Sequence, residues 1–81
     1  MNTTENNQII ADFLHGKNAV YPNQYHENWN ELIVVVKKCY LLDKFQGKYY
    51  ENIYYSVADL NIESVYNACV EFIKWYNLQN S

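Results

Sequence analysis

The chain has 81 residues, room for a single domain spanning 1–81 around one small core. Its net charge is −3 and all six basic residues are lysine, so the bidentate arginine contacts that read guanine or grip phosphate are missing and specific nucleic-acid binding is not expected. Residues are 49% hydrophobic, which points to a globular chain rather than a disordered one. No apolar run reaches the roughly 20 residues that cross a membrane, and no basic segment leads into an apolar one as in a signal peptide.

Residues 1–4 are polar and are expected to fray. Thr3 or Thr4 can cap a first helix, with Glu5 in its first turn, where the helix dipole favours negative charge. Ile9, Ile10, Phe13 and Leu14 give it an apolar face, His15 suits its last turn, and Gly16 is placed to take the positive φ that ends a helix. Residues 17–27 hold the only proline; Pro22 and Asn23 read as a turn.

Asn28 followed by Glu31 has capping-box spacing and opens a second helix. Trp29, Leu32, Ile33, Val36, Cys39 and Tyr40 then share one face, with Val34, Val35, Leu41 and Leu42 on its flanks and Lys37 and Lys38 on the wet side. So much apolar surface predicts a deeply buried helix. Gln46 and Gly47 break the pattern. In residues 48–58 neither set of alternate residues is cleanly apolar, whereas Tyr50, Ile53, Tyr54, Val57 and Leu60 make a helical stripe.

The clearest pattern comes last. Ile62, Val65, Tyr66, Cys69, Phe72, Ile73 and Tyr76 recur three and four apart behind Asn61, a good N-cap. Ala68 and Trp75 lie beyond one edge of this stripe and Val70 beyond the other. The arc is wider than one helix covers, so either two elements flank it or part of it meets another chain. The fold class expected is mostly α, a bundle of about four helices. The alternative is α+β, with strands at 18–21 and 48–58.

Chemistry is sparse. Two glycines cannot build a phosphate cradle, and no zinc, nucleophile-elbow or dinucleotide motif occurs. Cys39 and Cys69 fall on apolar helix faces and read as buried free thiols. We therefore expect no enzyme, no catalytic or metal-binding residue and no cofactor. Tyr25, His26 and Trp29, just ahead of a helix N-terminus, form a candidate polar pocket suited to an anion; packing of Tyr25 over a core Trp29 accounts for the same residues. Aromatics in excess of the core are the other functional signal. Trp75, Ala68, Phe72, Tyr49 and Tyr55 form the candidate partner or oligomer surface.

Three stretches, IADFL at 10–14, Tyr25, His26 and Trp29 followed by Leu32, Val35 and Val36, and above all IESVYNACVEFIKWYN at 62–77, together resemble a family of small proteins from phages and prophages of Bacteroidota that have no assigned activity. The chain departs from that pattern where Glu31 and Val34 stand in place of a tryptophan and a proline, and where Cys69 replaces an aliphatic residue. The resemblance implies an accessory protein acting in the host cytosol, of the anti-defence or anti-CRISPR type, that binds a host protein or ribonucleoprotein. An oligomeric sponge for a nucleotide messenger is the alternative, and a small enzyme built on His15 or His26 a distant third.

Overall fold

The computed structural model describes residues 3–16, 25–42 and 48–79, with side chains in the last span from 51 onward. Four helices fill these spans: α1 (Thr3–His15), α2 (Trp29–Leu42), α3 (Lys48–Ala58) and α4 (Ile62–Gln79). No strand occurs among the described residues. The mostly α architecture is thus the fold, and residues 48–58, balanced between helix and strand, are helical. The strand considered at 18–21, the turn at Pro22 and the break at Gln46–Gly47 lie outside the described residues.

The helix ends follow the chemistry of their capping residues. Asn28 Oδ1 accepts the N–H groups of Asn30 at 2.9 Å and Glu31 at 3.4 Å, which starts α2. Asn61 Oδ1 accepts the Ser64 N–H at 3.2 Å and starts α4 in the same way. At the far end of α1, Gly16 adopts φ 103° and its N–H donates to the Asp12 carbonyl at 2.9 Å, a left-handed cap that a residue with a Cβ resists. Thr3 and Thr4 lie within α1, not ahead of it.

α4 touches all three other helices, and α3 most extensively. Val65, Tyr66, Cys69, Val70, Phe72 and Ile73 are its buried residues. The broad apolar arc is therefore flanked by several elements, the first of the two arrangements its width allowed. The buried α4 residues share one core cluster with Ile10 of α1, Leu32, Val35, Val36 and Cys39 of α2, and Ile53 of α3. Near the C-terminal end of α4, Tyr76 stacks on Phe72 at 6.4 Å and meets the edge of Phe13 at 5.9 Å, joining α4 to α1. Such ring pairs are worth about 0.5–1.5 kcal/mol beyond their buried area.

Two stripes differ from expectation. In α2 the inward face is Leu32, Val35, Val36 and Cys39; Trp29, Ile33 and Tyr40, assigned to the core, are exposed. The inward face is rotated relative to the expected one, and α2 is not deeply buried. The physical reason is that ten of its fourteen residues are apolar, so several faces satisfy helical spacing. Lys38 resolves the ambiguity. Its ammonium donates to the Phe13 carbonyl near the C-terminal end of α1 and lies 4.8 Å from the Phe13 ring centroid, where a cation satisfies a helix-end carbonyl. In α3 Ile53 is buried and Val57 packs against the core, but Tyr54 and Leu60 are exposed. Leu60 lies past the end of α3, in the left-handed corner at φ 55°.

Candidate functional site

Tyr25, His26 and Trp29, expected to form a polar pocket, take up three different environments. Tyr25 is fully buried and belongs to the core. Trp29, at 38% exposed, turns outward, the reverse of the clamp expected over a core tryptophan. The first-turn donors of Asn30 and Glu31, which an anion would need, are already taken by Asn28. His26 is half-buried and points elsewhere. Its Nδ1 lies 3.2 Å from Asn7 Nδ2, and its Nε2 lies 3.5 Å from Glu27 Oε1. Asn7 in turn accepts the Tyr66 hydroxyl at 2.9 Å. Burial pushes the Tyr66 phenol above the usual tyrosine range, because its ionised form would lose solvation.

The surface expected on α4 is also revised. Phe72 is fully buried, so it cannot meet a partner; it is core. Ala68 and Trp75 are half-buried and pack on that core, Trp75 edge-on to Phe72 at 5.7 Å. Which side of α4 is covered depends on how the other three helices pack on it, which local spacing does not register. Tyr55 is exposed as expected and lies edge-on to its neighbour Tyr54 at 5.7 Å. The Tyr49 side chain lies outside the described residues.

Among the described residues, most of the exposed large apolar side chains are on α2. Ile33 is 43% exposed, Val34 51%, Tyr40 54% and Leu41 65%, flanked by Trp29 and Leu42. At 100° per residue, Trp29, Tyr40, Ile33, Leu41 and Val34 span one continuous outward arc, with Lys37 and Asn30 in its middle. A hollow of about 300 Å³, lined among the described residues by Val36, Lys37, Tyr40 and Leu41, indents this arc. Among the described residues its walls are aliphatic and aromatic, with the Lys37 ammonium at the edge. It can seat an apolar side chain. Of these residues the sequence offers only Trp29 as a site candidate, and for another role; Ile33 and Tyr40 were expected in the core. The signal available was the apolar excess of α2, more than one face can bury.

Cys39 and Cys69 are buried free thiols, as their positions on apolar faces suggested. Among the described residues, no group of three or more His, Cys, Asp or Glu side chains is placed to hold a metal ion, and no helix is long and apolar enough to cross a membrane. His15 is exposed in the last turn of α1. No family model, no curated protein and no solved structure matches the chain.

Proposed function

We propose that the protein is a non-catalytic binding module that engages a host protein through the outward face of α2. The observation that carries this reading is the exposed arc of Trp29, Ile33, Val34, Tyr40 and Leu41. An exposed apolar patch rimmed by polar groups is the usual mark of a protein interface, and tryptophan and tyrosine supply much of the binding energy at such interfaces. The hollow beside Tyr40 suits one apolar anchor of an amphipathic helix, and Lys37 within the arc suits a carboxylate on that helix. The resemblance to small phage and prophage proteins supplies the setting: an anti-defence factor, of the anti-CRISPR kind, acting in the host cytosol.

The test is affinity capture from host lysate with the wild-type protein and with Ile33→Asp/Leu41→Asp, then direct binding of the identified partner in purified form. A partner held by the wild type and lost by at least tenfold in affinity with the variant supports the proposal. A partner bound equally by both places the interface elsewhere. Association of the protein only with itself through this face would make it an oligomer instead.

A further inference from the structure

A buried tyrosine, an asparagine and a histidine, drawn from three separate segments, are linked by one chain of hydrogen bonds. The Tyr66 hydroxyl on α4 lies 2.9 Å from Asn7 Oδ1 on α1 and 3.4 Å from the Thr3 carbonyl. Asn7 Nδ2 lies 3.2 Å from Nδ1 of His26, in the turn before α2. The His26 and Tyr66 rings also meet edge-on at 5.9 Å. Proton accounting fixes the pattern. An amide whose oxygen accepts from Tyr66 presents its N–H to His26, so Nδ1 must accept and the ring proton sits on Nε2, toward Glu27 Oε1 at 3.5 Å.

We propose that Asn7, His26 and Tyr66 form a proton-sensitive latch between α1, the Tyr25–Asn28 turn and α4. A protonated imidazole carries N–H on both nitrogens, so Nδ1–H would face Asn7 N–H, donor against donor. Reversing the amide relieves this. Oδ1 then accepts from His26, Nδ2 donates to the Tyr66 oxygen, and the Tyr66 proton moves to the longer contact with the Thr3 carbonyl. One proton on an accessible histidine is thereby read by a phenol buried on α4. Histidine is the side chain whose ordinary titration falls near neutral pH.

Other ionisable groups among the described residues lie on the same elements. Glu27 faces Nε2. Tyr25 is buried in the same turn, Glu31 is half-buried in the first turn of α2, and Glu5 on α1 and Glu63 on α4 are exposed. The inference stands independently of the α2 face, since none of the three latch residues lies on it.

The experiment is a pH titration of the whole chain by nuclear magnetic resonance, following the His26 ring nitrogens, the Asn7 side-chain amide and the Tyr66 ring. The latch predicts a neutral His26 protonated on Nε2. It also predicts Asn7 and Tyr66 signals that move with the same midpoint as the imidazole. In Asn7→Asp, where a carboxylate can accept from both neighbours at once, His26 should hold its proton to higher pH and the Tyr66 signals should stop following it. A neutral ring protonated on Nδ1, or a His26 titration to which wild-type Asn7 and Tyr66 do not respond, would overturn the proposal.

Discussion

α4 and α2 are both rich in apolar residues, yet the fold uses them differently. α4 spaces its large side chains on one arc and sets Glu63, Asn67, Glu71 and Lys74 opposite or beside it, and three helices cover that arc. α2 carries apolar residues nearly all round and buries only Leu32, Val35, Val36 and Cys39. The remainder faces outward because, among the described residues, a bundle of four helices has no further layer to cover it. Polar residues on one side of a helix define which side is inside. When they are scarce, packing partners decide, and the surplus becomes surface.

This contrast is tested most severely by paired charges on α2. Val35→Asp puts a carboxylate at a fully buried position and is expected to cost more than about 4 kcal/mol, a large part of the stability of a small domain. Val34→Asp, one residue along and half exposed, should stay within about 0.5 kcal/mol of wild type. Thermal or urea unfolding separates the two, and equal effects would mean that the inward face is wrong. On α4, Phe72→Ala should cost about 3–5 kcal/mol by opening the core between Tyr76 and Trp75. The exposed Tyr55→Ala serves as its near-neutral counterpart. If Phe72 lay on an outer surface, the two losses would be similar.

A smaller effect belongs to Tyr66. Tyr66→Phe removes a hydroxyl that bonds Asn7 and should cost about 1 kcal/mol at neutral pH. Its pH dependence has a defined sign. The folded-state value is raised, so the contribution is fully present below the unfolded tyrosine value near 10 and is lost as pH climbs through the folded one. The alkaline fall in stability should therefore be shallower in Tyr66→Phe than in wild type. The mildest change is a gain. Leu60 holds φ 55° while 80% exposed, so its side chain recovers little burial energy for that conformation. Leu60→Gly should raise stability by about 1 kcal/mol.

Much of this fold can be read from local chemistry. Asn28, Asn61 and Gly16 announce their caps, and the stripe from Val65 to Ile73 announces the core. What could not be read depends on long-range contacts. Phe72 and Trp75 looked available because the spacing within α4 does not say which of its sides the other helices cover. Ile33 and Tyr40 looked internal because spacing alone cannot choose among the faces of an apolar helix. Lys38 carried the decisive hint, since it reaches the carbonyl of Phe13, 25 residues away. The Asn7–His26–Tyr66 chain was equally invisible, because it joins residues as many as 59 positions apart.

The claim that α2 presents its apolar arc to solvent is best checked by hydroxyl-radical footprinting of the purified protein, read residue by residue by mass spectrometry. Trp29, Tyr40 and Leu41 should label rapidly, while Leu32, Tyr66 and Phe72 should stay protected until the protein unfolds. Protection of Trp29, Tyr40 and Leu41 in the monomeric protein would contradict the account, since the face assigned to a partner would already be covered.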